Sequence, residues 1–128
     1  ADLNPSSPRT RINRGFIRLK SGDYTGAEND FSTAIAATPR DPVAYNNRGL
    51  ARRSMGNLIG ALADFDLAVK NGSQHPLYYL YLANRGESRL SAGDFAGAAD
   101  DASAALSIKP VHATAESLRE AAGEMSPR

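Results

Sequence analysis

Cysteine is absent from all 128 residues, which removes disulfides, zinc–thiolate sites and thiol nucleophiles together. Neither sign of charge is in excess. The formal net charge is +1, so composition as a whole indicates neither a nucleic-acid protein nor a polyacidic tail. No apolar run approaches the roughly 20 residues that span a bilayer. Aromatics are scarce at 7%, and alanine dominates the 41% that is apolar, which suits thin helices packed closely around small side chains. Lysine is rare beside arginine, 3 against 12, a bias that points to a GC-rich bacterial genome and carries no mechanism. The chain opens on Ala1 with no apolar signal-peptide core, which predicts an N-terminus trimmed by processing or cloning. Bacterial cytoplasm and periplasm both stay open.

Catalytic constellations are lacking too. His75 falls in an irregular stretch and His112 near the start of the last helical segment, neither with a Ser, Asp or Glu at motif spacing, so surface solvation is expected for both. Asp100-Asp101 is a lone acidic pair. No phosphate-binding glycine loop, metal-ligand cluster or nucleophilic triad occurs, so neither cofactor nor metal is expected and no enzyme is predicted.

What the chain does have is repetition. Asn-Arg-Gly recurs at 13–15, 47–49 and 84–86, with glycines 34 and then 37 residues apart. Seven residues past each glycine comes a turn, in Gly22-Asp23-Tyr24, Gly56-Asn57-Leu58 and Gly93-Asp94-Phe95. Ala27, Ala61 and Ala98 follow at offset 12, and Ala34, Ala68 and Ala105 at offset 19. A period in the thirties with small residues at fixed offsets is the signature of stacked repeats. Pro8, Pro42 and Pro76 are placed to open first helices, and the turn glycines to close them. Second helices are predicted from about Tyr24, Leu58 and Phe95 to near Ala37, Asn71 and Ser107. The surplus of the longer interval falls at residues 73–78, predicting a longer loop and an extended first helix in the third repeat. Ala115, Leu118 and Ala122 share one helical face, predicting a capping helix from about Val111 to Ala122. Pro127 and Arg128 are expected to fray. The predicted fold is all-α: an α-solenoid of three helix-turn-helix repeats with a C-terminal capping helix. It forms one domain over 1–128, with repeats at about 8–41, 42–75 and 76–110 and the cap at about 111–123.

These positions resemble the tetratricopeptide repeat family, of bacterial type. In that family each repeat carries a glycine in its first helix, a Gly-Asp/Asn-Tyr turn, two alanines and an aromatic in the second helix, then a proline. The first repeat has Gly15, Gly22-Asp23-Tyr24, Ala27, Phe31, Ala34 and Pro39. The second has Gly49, Gly56-Asn57-Leu58, Ala61, Phe65 and Ala68, with Ser73 where proline belongs. The third has Gly86, Gly93-Asp94-Phe95, Ala98, Ala105 and Pro110, with Ala102 in place of the aromatic. Tyr45 fills the aromatic position before the glycine; Arg11 and Leu82 replace it elsewhere. The resemblance covers about residues 8–123. Leu3-Asn4-Pro5 matches the end of a repeat in phase, so the chain reads either as a fragment of a longer array or as having an irregular lead-in.

The three first-helix glycines need a packing reason, because a mid-helix glycine costs roughly 1 kcal/mol against alanine. Arg14, Arg48 and Arg85 each precede an aspartate by 16 residues, Asp30, Asp64 and Asp101, which suggests one Arg–Asp pair per repeat. The competing reading, a phosphate grip, arises because Arg18, Arg52 and Arg89 lie one turn further on. Tyr78, Tyr79 and Tyr81 either anchor a partner or cover the longer junction, with packing favoured.

Asn13, Asn47 and Asn84 are the main site candidates. A residue two before the packed glycine points about 200° away on the helical wheel. The resemblance implies that this face lines a concave groove. An asparagine amide can donate to and accept from a peptide backbone at once, and one per layer would read an extended chain with little regard to its sequence. The bland alternative is helix solubility or inter-repeat bonding. Flanking residues would set selectivity: Arg9, Ile12, Phe16 and Lys20; Val43, Asn46, Leu50 and Arg53; Leu80, Ala83, Glu87 and Leu90. Because the first two of these helices are basic and free of acid, the expected ligand is extended and somewhat acidic. The chaperone-type carboxylate clamp is not supported: Asn47 alone fits it, while Ile12, Phe16, Leu80 and Asn84 hold its other places. The reading is a non-enzymatic adaptor for a protein or peptide partner, without a membrane span. A self-associating scaffold, and hence a homo-oligomer, is the alternative. Nucleic-acid binding is disfavoured because the arginines have aspartate partners.

Overall fold

Most helix starts follow from a side chain that can accept a backbone N–H. Ser7 Oγ takes the Thr10 amide at 3.1 Å ahead of Pro8, and an Asp41 oxygen takes the Val43 amide at 2.9 Å ahead of Pro42. Asp23, Asn57 and Asp94 do the same for the amides of Gly26, Gly60 and Gly97. Gly22, Gly56 and Gly93 end the preceding helices at φ of 90°, 83° and 86°, a left-handed conformation that L side chains rarely adopt.

A computed structural model of the chain describes residues 7–125. Leu3-Asn4-Pro5, Pro127 and Arg128 lie outside them. The described residues form seven helices and no strand: α1 Pro8–Ser21, α2 Tyr24–Ala37, α3 Pro42–Ser54, α4 Leu58–Asn71, α5 Tyr78–Ser91, α6 Phe95–Ile108 and α7 Ala113–Met125. They are three helical hairpins followed by a single helix. Two compact units divide them, one up to Asn71 holding α1–α4 and one from Gly72 holding α5–α7. In the first unit α1 packs on α2, α2 on α3 and α3 on α4. In the second, α6 packs on both α5 and α7.

The first-helix glycines are contact points. A Cβ on Gly15 would lie 2.6 Å from Phe31 Cε1, and one on Gly49 2.7 Å from Phe65 Cε1. Both rings have no exposed surface, so the aromatic of the second helix abuts the backbone of the first. The third hairpin solves the same problem differently. Ala102 stands where the ring would be, and Leu118 of α7 fills the space, with its Cδ2 2.6 Å from a Cβ on Gly86. Ala98, Ala102, Leu118 and Ala122 form one buried cluster. The cap thus supplies the large side chain that the third hairpin lacks.

Three details differ from the spacing-based expectation. Pro76 precedes α5, which starts at Tyr78, because residues 72–78 close successive turns before the helix begins. The three surplus residues become consecutive turns, closed by His75 N to Gly72 O and Tyr78 N to His75 O, so α5 has 14 residues like α1 and is not extended. The capping helix runs from Ala113 to Met125 rather than from Val111 to Ala122. His112 sets its start, its Nδ1 accepting the Ala115 amide at 3.2 Å. His75 Nδ1 likewise accepts the Leu77 amide and meets the Tyr81 hydroxyl, both at 3.1 Å. Both imidazoles are half-buried turn caps, not merely solvated surface groups.

Gly49→Ala should lower stability by about 1–2 kcal/mol in denaturant melts, because overpacking against an immobile ring outweighs the roughly 1 kcal/mol gained in helix propensity. Gly86→Ala should cost less, since its neighbour is the flexible tip of Leu118. Leu118→Ala should cost about 2–3 kcal/mol, as the surrounding alanines cannot refill the space; hydrogen exchange should then show α7 opening first.

Candidate functional site

The arginines come first, because their engagement decides how much charge is left for a ligand. Arg14 reaches Asp30 through Nε at 3.0 Å and Nη2 at 2.6 Å, and Arg48 reaches Asp64 at 3.0 and 2.8 Å. Arg85 repeats the fork on Asp101 at 3.0 and 2.8 Å. The arginine one turn later adds a third bond each time: Arg18 at 3.0 Å, Arg52 at 3.1 Å and Arg89 at 3.0 Å. The aspartates are buried, at 1%, 1% and 3% exposure. Asp30 takes a fourth contact, from Arg11 at 3.4 Å, and Arg52 also holds Glu28 of α2 at 2.8 Å. These arginines are structural, and the phosphate-grip reading falls.

Burial alone pushes the Asp30 carboxyl up, but the hydrogen bond and charge of Arg14, with Arg18 and Arg11, outweigh it and hold the group below its ordinary 3.8. The same bond raises the Arg14 guanidinium.

The expected groove residues fall into distinct settings. In the first unit Asn13 and Arg9 are exposed, while Ile12 packs against the buried cluster of Ala27, Phe31 and Ala51. Phe16 is 43% exposed beneath the Lys20 ammonium, 5.2 Å from its ring centroid. Asn46 and Asn47 are nearly buried, at 4% and 9%. Among the described residues the Asn13 and Asn47 amides make no side-chain hydrogen bond. Lys20, Leu50 and Arg53 come together with Leu19, Tyr24 and Ser54 around an open pocket of about 260 Å³. In the second unit Leu80 is half-buried and Asn84 is 6% exposed. Glu87, with Leu90, flanks an open cleft of about 410 Å³ completed by α7 residues that include Thr114 and Ser117. Tyr81 is buried and Tyr79 stands edge-on to His112 at 5.3 Å, supporting packing for the tyrosine cluster.

Sequence spacing missed Tyr24, Ser54, Thr114 and Ser117. Tyr24 reads as the turn motif's third residue, and the other three carry no periodic signal. Among the described residues there is no cluster of metal-ligating side chains, and no helix is long and apolar enough to cross a membrane.

Buried small residues between paired helices, repeated with one bidentate ion pair, define an α-helical repeat protein. The sequence model of the tetratricopeptide repeat matches residues 14–76, and that segment belongs to the family. Among solved structures it is similar to the Arabidopsis OM64 TPR domain, with 21% identity, a TM-score of 0.87, and coverage of 94% of this chain and 97% of that one. It is similar to the first TPR of Spaghetti (RPAP3) bound to the HSP90 peptide SRMEEVD, with 21% identity, a TM-score of 0.86, and 95% and 94% coverage. The second TPR domain of human RPAP3, in complex with the HSP70 peptide SGPTIEEVD, matches with 21% identity, a TM-score of 0.80, and 95% and 100% coverage. Comparison with curated proteins gave no match.

The Asp30 pair gives a signed pH dependence. Its depressed carboxyl contributes stability that is present above the unfolded value near 3.8 and lost as pH falls through the lower folded value. The stability gap between the wild type and Asp30→Asn should therefore be widest at neutral pH and should shrink below about pH 4 in thermal melts. At neutral pH Asp64→Asn should cost about 3 kcal/mol or more, because Arg48 and Arg52 lose their shared anion.

Proposed function

We propose that this chain is a non-enzymatic protein-interaction adaptor that holds an extended peptide in the concave groove lined by the first helices of its repeats. The observation that carries this reading is the Asn13 and Asn47 amides, which lie on adjacent first helices α1 and α3 and have no hydrogen bond of their own among the described residues. A mediocre helix former placed there twice, with its hydrogen-bonding capacity unspent, is suited to a backbone ligand. The similar domains with bound HSP90 and HSP70 peptides support the same reading by analogy of fold. In the first unit the proposed contacts are Asn13 and Asn47 with Arg9, Ile12, Phe16, Lys20, Asn46, Leu50 and Arg53; in the second unit they are Asn84, Leu80 and Glu87. Ile12 and Asn46 would shape its floor more than touch the ligand, since one packs on the core and the other is almost covered.

The alternative is self-association. It is favoured by Ile17 and Ile59, which are 68% and 86% exposed.

Random 12-residue peptides displayed on phage and selected on the immobilised chain provide the probe. Asn13→Ala with Asn47→Ala should weaken the selected peptides at least tenfold in fluorescence anisotropy, at about 0.5–1.5 kcal/mol per lost hydrogen bond, with the melting temperature unchanged. Unchanged affinity rejects amide capture. Sedimentation that shifts with protein concentration, abolished by Ile17→Ser or Ile59→Ser, would favour the scaffold.

A further inference from the structure

We propose that the pocket holding Lys20 and Arg53 takes the carboxylate side chain of an aspartate or glutamate in the bound peptide, and so sets the acidic selectivity of the groove. This rests on the peptide-binding reading above and gives it a specific anchor.

Arg53 is unlike its neighbours. Arg14, Arg18, Arg48 and Arg52 all end on carboxylates, whereas among the described residues Arg53 has no acid partner. Its head is held by an aromatic face instead, with the guanidinium carbon 5.6 Å from the Phe65 ring centroid. Its Nη1 is buried there without a hydrogen-bond partner. A ring face positions a cation without neutralising it. Lys20 is held in the same way, over Phe16, and among the described residues it too has no acid partner. These two uncompensated cations line one pocket with Leu19, Tyr24, Leu50 and Ser54, and no carboxylate borders it.

Both cations sit in the last turn of a helix, where the dipole favours them, but neither is needed to bond the carbonyls there. The last carbonyls of α1 already accept the Gly22 and Asp23 amides, and those of α3 the Met55, Gly56 and Asn57 amides. Leu19 and Leu50 give the methylene stem of an acidic side chain an apolar contact beside the two cations. Tyr24 and Ser54 bring hydroxyls that can complete the carboxylate's hydrogen bonds. The remaining Nε and Nη2 donors of Arg53 suit a planar carboxylate side-on, while the ammonium of Lys20 adds a point charge.

The same random 12-residue phage library is selected on the full chain, on Lys20→Gln, on Arg53→Gln and on the double variant Lys20→Glu with Arg53→Glu. Circular dichroism checks that each is folded, and Lys20, being exposed, keeps the test open if Arg53→Gln unfolds. Wild type should enrich Asp or Glu at one peptide position, either glutamine variant should flatten that enrichment, and the double variant should invert it to Lys or Arg. Replacing the selected Glu by Gln in a synthetic peptide should weaken binding to wild type about five- to tenfold and to Arg53→Gln hardly at all. Acid enrichment that survives both single variants, or none on wild type, overturns the pocket assignment and leaves groove binding standing. A phosphoserine peptide bound more than tenfold tighter than its Glu counterpart overturns the carboxylate assignment in favour of phosphate. No peptide captured by the wild type overturns both readings.

Discussion

A buried carboxylate is the constraint from which the rest of each hairpin follows. An aspartate with almost no exposed surface can stay ionised only if its charge and its lone pairs are satisfied. Asp30, Asp64 and Asp101 each receive a two-pronged guanidinium from the helix before them and a single bond from the arginine one turn later. The planar fork fixes the azimuth of one helix against the other, which a lysine could not do. The glycine next to the first arginine then fixes their separation, because the Phe31 and Phe65 rings rest on Gly15 and Gly49. Orientation and distance come from adjacent residues, and that is why Arg-Gly recurs as a unit.

The third hairpin shows which part of this scheme is interchangeable. Its fork is intact, but its aromatic is replaced by Ala102, and Leu118 enters from α7 to cover Gly86. The ion pair cannot be lent by another element without moving the helices, since both ends belong to the hairpin. A hydrophobic volume can be, because dispersion and burial are not directional.

That distinction also explains what could be read from residues alone. Helices tied to periodic small residues were legible almost to their ends, as α2 and α4 show. The departures lie where one residue's local chemistry overrides the period. His75 and Pro76 delay α5, and His112 delays α7 by capping it through a ring nitrogen. Histidine is not a usual capping signal, so spacing had no means of finding it. The site was legible in part. Of the residues expected to line a groove, Lys20, Leu50 and Arg53 converge on one pocket. Depth was not found: Asn13 is exposed while its counterparts Asn47 and Asn84 are at 9% and 6%, because exposure depends on what lies above each helix and not on the wheel position. Tyr24 and Ser54 were invisible for the same reason, since only folding places them beside Lys20 and Arg53.

Charge shows why composition is a poor guide to ligand preference in such a chain. Arginines are numerous, yet the fork and its third bond take up six of them as mortar between helices. A cation already bonded to a buried aspartate offers a ligand little, because attracting a second anion would weaken the first pair. On the proposed peptide-binding reading, acidic selectivity would rest on the cations held by aromatic rings instead of acids. A ring face leaves the charge unneutralised while restricting the head group's motion, which lowers the entropy cost of a later charge pair. In the first unit Lys20 on Phe16 and Arg53 on Phe65 meet both conditions within one pocket. Phe65 therefore has two roles, setting the helix spacing through Gly49 and holding Arg53 in place, so the packing of the second hairpin and the chemistry of its surface are coupled through a single side chain.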